Sequence, residues 1–133
     1  MKTLELFYLL VILLIHFSCS TEPEENYIPY KIKIDKIEHP DTVYVNDTLI
    51  IKFYGFVGPD GCHRFSHFEK KNSQSLLEFT VWGEKPDYET VCSAVMVWMD
   101  GTEYKTRITQ TGLYQIKIHQ PDNSFMIDSV FIE

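Results

Sequence analysis

The sequence predicts an all-β domain, an antiparallel sandwich or barrel of seven to nine short strands standing behind a removable leader. Two observations carry the β class. From Tyr30 onward the apolar residues recur with period two, and Gly, Pro, Asn and Asp punctuate them at short, regular intervals. A third observation sets the leader apart: Leu6 to Ile15 is an unbroken apolar run behind a single lysine, too short for a spanning helix, which needs about 20 residues.

Each element follows from its own residues. Lys31-Ile32-Lys33-Ile34 alternates, and so does Thr42 to Val45 before the turn Asn46-Asp47. Leu49 to Val57 places Leu49, Ile51 and Phe53 on one face, and Gly58-Pro59-Asp60-Gly61 closes it with a turn. Cys62 to Glu69 comes next, a polar turn spans Lys70 to Ser73, and Leu76 to Trp82 aligns Leu77, Phe79 and Val81. Gly83 to Thr90 reads as a loop because it contains Pro86. Val91 to Met99 is strongly β-forming and is expected to break at Asp100-Gly101. Thr102 to Thr109, Leu113 to His119 and Phe125 to Ile132 complete the set, with turns at Thr111-Gly112 and Gln120 to Asn123.

Totals narrow the function. The chain has 133 residues, a formal charge of −7 and only two arginines, Arg64 and Arg107. Nucleic acid is a poor partner for such a chain, since affinity there comes largely from Lys and Arg neutralising phosphates. Aromatic residues make up 14%, which argues against disorder. Of the three cysteines, Cys19 sits at the leader junction, leaving Cys62 and Cys92. In an exported chain an even pair forms a disulfide; the alternative is two buried thiols.

The junction Ser18-Cys19 resembles the lipobox of bacterial lipoproteins, in which a small residue precedes a cysteine that is lipidated and becomes residue one. His16 and Phe17 stand where Leu and a small residue are usual, a departure that Bacteroidetes-type lipoboxes accept. The resemblance implies a signal peptide over residues 1–18, lipid on Cys19, and attachment to the bacterial outer membrane, periplasmic or surface-exposed. Cleavage to a soluble secreted protein is the alternative. Residues 19–29, with Glu22, Glu24, Glu25 and Pro23, read as an acidic tether, either a surface-export signal or a solvated spacer. Residues 30–133 are the domain.

Within that domain, Gly61-Cys62, Phe65, Phe68, Thr80-Val81-Trp82-Gly83, Pro86-Asp87, Cys92 and Thr111-Gly112-Leu113-Tyr114 follow one another in an order that resembles small exported immunoglobulin-like bacterial domains. The resemblance implies an immunoglobulin-like sandwich and a Cys62–Cys92 bridge, with no activity. Trp82 lies between the cysteines, but at a spacing unlike that of true immunoglobulin domains.

Chemistry is sparse. His63 and His67, four residues apart on a strand, would be roughly 13 Å apart, too far to share a metal without a bulge. His39 and His119 could join them only through the fold, so neither metal nor cofactor is expected. No nucleophile elbow, Walker A loop or dinucleotide fingerprint occurs. Asp41-Thr42, Asp47-Thr48 and Asp128-Ser129, each followed by an apolar residue, match the O-glycosylation pattern of exported Bacteroidetes proteins, with Thr42, Thr48 and Ser129 as acceptors; Asp before Ser or Thr is also common at strand starts. Tyr27, Tyr30, Tyr54, Tyr88, Trp98 and Tyr104 exceed what the inner faces need and could form a partner surface.

The expected function is a non-catalytic, lipid-anchored envelope module whose partner is an envelope protein or a glycan. A protease inhibitor presenting the 83–91 loop is the alternative. Labelled palmitate should enter the wild-type chain and not Cys19→Ala; equal labelling of both refutes the anchor.

Overall fold

A computed structural model describes residues 26–133. Among them there is no helix, and nine strands follow one another: β1 (Tyr27–Lys31), β2 (Lys33–Glu38), β3 (Thr42–Val43), β4 (Thr48–Gly58), β5 (Arg64–Ser73), β6 (Leu76–Pro86), β7 (Val97–Arg107), β8 (Gly112–His119) and β9 (Phe125–Ile132). The all-β expectation holds. Residues 1–18, Cys19 and most of the tether lie outside the described residues.

The strands form two sheets. One has three strands in the order β2-β4-β7; the other has six, with β6 as its hub. Along one edge β6 pairs antiparallel with β5, Arg64 to Ser73 opposite Glu84 to Leu76. The other edge is shared end to end: β8 runs parallel beside Leu76 to Thr80, and β1 runs antiparallel beside Trp82 to Pro86. β9 then pairs with β8, and β3 lies parallel to β9. Two parallel pairings therefore join an otherwise antiparallel set.

The two sheets share one core. Ile34, Leu49, Ile51, Phe53, Val57 and Met99 of the smaller sheet meet Leu77, Phe79, Val81, Tyr114, Ile116, Ile118, Val130 and Ile132 of the larger. The period-two faces of β4 and β6 produce this, since alternate side chains of each point inward. Phe53 packs against Phe68 and Phe79 across the layer, at ring separations of 4.8 and 5.6 Å.

One segment belongs to both sheets. β1 pairs with β6, the Ile32 amide donates to the Val81 carbonyl, and β2 then continues in the other sheet against β4. Side chains brace the crossing on either side. The Tyr30 hydroxyl donates to the Val57 carbonyl of β4 at 2.7 Å, and burial, followed by the nearby Asp60 charge, pushes its pKa up to about 12, keeping it a donor. Tyr30 lies flat against Gly83, where a Cβ would stand 2.6 Å from the ring. On the far side, the buried Gln120 amide imitates a strand: its Oε1 accepts from Ile34 N at 3.1 Å and its Nε2 donates to Ile34 O at 2.9 Å. This satisfies the backbone where β2 shifts register between Ile34 and Lys36.

Four expectations change. The sheet begins at Tyr27, inside the stretch read as tether, because Tyr27 to Lys31 completes the edge of β6 that β8 leaves open. Asp100-Gly101 is not a turn. β7 runs through it with Phe53 opposite Thr102 and Tyr54 opposite Asp100, so Gly101, at φ +77°, is the extra residue of a bulge. Gly83 to Pro86 belongs to β6, with Pro86 tolerated at the strand's end. Val91 to Met96, expected as strand, pairs with none. A fifth, smaller shift moves the hairpin turn from Lys70–Ser73 to Gln74-Ser75, with Gln74 at φ +40°.

Replacing Gln120 with Leu should cost roughly 2–4 kcal/mol, because two buried backbone groups lose their only side-chain partner. Urea unfolding measures it, and a loss under about 1 kcal/mol refutes the clamp.

Candidate functional site

Three regions collect the residues with chemical character. The first is the end of the fold where β4 turns into β5. Cys62 and Cys92 form a disulfide there, with Cα atoms 5.3 Å apart and a sequence separation of 30. The bridge ties the Gly58–Gly61 turn to the segment after β6, and the Gly61 amide reinforces it by donating to Ser93 O at 2.9 Å. Asp60 shapes the turn: its carboxylate accepts from Cys62 N and approaches His63 Nδ1 at 2.8 Å, and these two contacts, His63 first, hold it below the usual carboxylate range. Asp60 stands close to both sulfurs, but the sulfurs are spent on each other, so this group is no ligand set.

From that bridge an open loop projects, residues 87–96, displaced along the chain from the 83–91 loop expected from sequence because β6 runs on to Pro86. Val91 is 99% exposed beside Cys92, and Val95, Met96 and Trp98 are exposed as well. Trp98 meets Phe56 edge to face at 5.0 Å on the outer side of the smaller sheet.

The second region is the outer side of the larger sheet. There β6 presents Glu78, Thr80, Trp82 and Glu84, all partly exposed, while Leu77, Phe79 and Val81 face inward. Thr80, small between two large neighbours, is the floor of a depression of about 220 Å³. Trp82 and Lys31 wall one end, Glu78 and Lys71 the other, with Glu69 and His119 at the sides. These positions follow from register: Glu69 and His119 both lie opposite Thr80, and Lys71 lies opposite Glu78. Neighbours hold the Trp82, Glu69, Glu78 and His119 walls. The Trp82 indole N–H donates to Glu69 Oε2 at 2.9 Å, and His67 lies nearly parallel to the indole. Glu78 receives Lys117 at 3.3 Å and His119 at 3.4 Å.

Electrostatics follow from those contacts. The Trp82 hydrogen bond, with Lys71 behind it, holds the Glu69 carboxyl below its ordinary range. Lys117, then His119, does the same for Glu78. Both carboxylates are therefore ionised acceptors, and the site offers charge-assisted hydrogen bonds around an aromatic wall. A hydrolytic pair would need one carboxyl raised to act as acid, and neither is.

The third region holds the expected glycosylation residues. Thr42, Thr48 and Ser129 are all exposed, on β3, β4 and β9. Thr42 lies opposite Phe131 and Thr48 opposite Arg107, at the end of the fold away from the bridge.

Among the described residues the four histidines do not converge. His63 packs against Tyr30 and Asp60, His67 against Trp82, and His39 and His119 pair separately with Asp128 and Glu78. The surplus aromatics also divide. Tyr30 and Tyr104 serve the interior, the latter against Phe68 and Phe79. Tyr54 donates to Glu38, and Trp98 and Tyr88 remain exposed. Sequence reasoning gave Trp82 no binding role, placing it at a strand end and between the cysteines; the alternation of Glu78, Thr80 and Trp82 against Leu77, Phe79 and Val81 is the available signal for an outward face.

No family model matches the chain, and no curated protein or solved structure matches it either.

Proposed function

We propose that this chain is a lipid-anchored bacterial envelope domain of immunoglobulin-like sandwich type that binds carbohydrate without catalysis. One observation carries the ligand class: the depression over Thr80, with an indole wall and ionised acceptors fixed around it. A pyranose ring has an apolar C–H face and a rim of hydroxyls. The first suits the Trp82 ring; the second suits Glu69 and Glu78 as acceptors and Lys31 and Lys71 as donors. Preformed neighbours mean that little side-chain freedom is lost on binding.

The address comes from Ser18-Cys19 and the apolar run before it, and an envelope is where glycan is abundant. Thr42, Thr48 and Ser129 are exposed and open to O-glycosylation, at the end remote from the tether. The inhibitor reading retains the exposed Val91 beside the pinned Cys92 as its support, and the same experiment separates the two.

The two tryptophans give the test its readout. Oligosaccharides released from bacterial capsule and lipopolysaccharide, titrated into the ¹⁵N-labelled domain, should move the Trp82 indole resonance and leave that of Trp98 in place. Trp82→Ala should weaken binding at least tenfold, about 1.4 kcal/mol. Shifts confined to Trp98 and the 87–96 loop, or none at all, overturn the carbohydrate reading.

A further inference from the structure

We infer that the uncharged stretch from Thr90 to Met99 seats this end of the domain on the lipid bilayer to which Cys19 ties the chain; the inference rests on the anchored reading above. Thr90-Val91-Cys92-Ser93-Ala94-Val95-Met96-Val97-Trp98-Met99 contains no charged residue. Its composition favours a strand, yet residues 91–96 join no sheet and the side chains of Val91, Val95 and Met96 stand in water. Val91 is 99% exposed, Val95 and Met96 63% each, and Trp98 58%. Four such side chains within eight residues form the kind of surface that marks an interaction site.

The way the chain enters the fold identifies what covers them. Tyr27 lies opposite Pro86, and the Asp87 amide donates to the Asn26 carbonyl at 2.9 Å. The path toward Cys19 therefore leaves the domain from the point where the loop begins. Eight residue steps separate Cys19 from Tyr27, a fully extended reach of about 28 Å at most. An anchor on Cys19 thus holds this end near the bilayer. The opposite end carries the chain terminus, where Glu133 exchanges backbone hydrogen bonds with Val43 and Val45.

Chemistry at the loop fits a bilayer surface. Tyr88 and Ile28 are exposed beside it, and with Trp98 they supply amphipathic and apolar groups of the kind found at membrane interfaces. The Cys62–Cys92 bridge and the Gly61–Ser93 hydrogen bond fix the loop in advance, which limits the entropy lost on docking. Asp87 and Glu89 flank the stretch and no lysine or arginine lies within it, so anionic lipid is not required. Few side chains insert, so docking depends on the high local concentration that tethering provides.

The test couples the Cys19 thiol to maleimide lipid in phosphatidylcholine vesicles containing brominated acyl chains, which places the chain on a bilayer whether or not cells lipidate it. Tryptophan emission should fall relative to unbrominated vesicles in the wild type. It should be unchanged in Trp98→Phe, where only Trp82 emits, and in Val95→Asp/Met96→Asp, whose changes are on exposed positions. The wild-type loss should persist in 0.5 M salt, a Debye length of roughly 4 Å. No loss in the wild type, or an equal loss in either variant, overturns the inference. Palmitate labelling in cells separately decides the anchor.

Discussion

A single segment that changes sheets at Ile32 holds the fold together. Before it, β1 fills the half of the β6 edge that β8 does not reach; after it, β2 forms the outer strand against β4. Without the crossing, the upper half of β6 would expose a row of unpaired backbone groups beside a core of large apolar side chains. The braces on either side are polar and opposite in kind. Tyr30 spans from the larger sheet to a carbonyl of the smaller, and Gln120 supplies a buried side-chain amide in place of a strand. Each satisfies a group that the change of sheet would otherwise leave alone.

Much of this is legible in the sequence, and the limits have physical causes. Alternation at Leu49 to Val57, Leu76 to Trp82 and Leu113 to His119 gives both the strands and their inward faces, because a half-buried strand permits only one pattern. The bridge was legible too, from two cysteines and a leader. Gly101 misleads because positive φ serves a bulge as well as a turn. Val91 to Met96 misleads because β propensity records fitness for a pleated surface, and this segment is held by the Cys62–Cys92 bridge and the Gly61–Ser93 hydrogen bond without joining a strand. The depression over Thr80 depends on which strands flank β6, and neither the parallel neighbour β8 nor the partial neighbour β1 leaves a local trace.

The proposed roles divide the molecule by direction. The proposed carbohydrate face is the outer side of the larger sheet, where small Thr80 between Glu78 and Trp82 leaves a depression. The apolar loop belongs to the end beside Tyr27, and the exposed threonines Thr42 and Thr48 to the other end. An anchored domain arranged in this way stands upright. The proposed binding face would then look sideways along the bilayer, with Thr42 and Thr48 on the far end.

The pairings that close the larger sheet also impose an order in time. Thr42 is opposite Phe131, Tyr27 is opposite Pro86, and β8 reaches β6 only after all of β7 has been placed between them in sequence. Such distant partners make for slow folding, since each loop must be closed before its contacts count. The β3–β9 pairing joins residues farther apart in sequence than any other pairing of the described strands, so it carries the largest loop-closure cost.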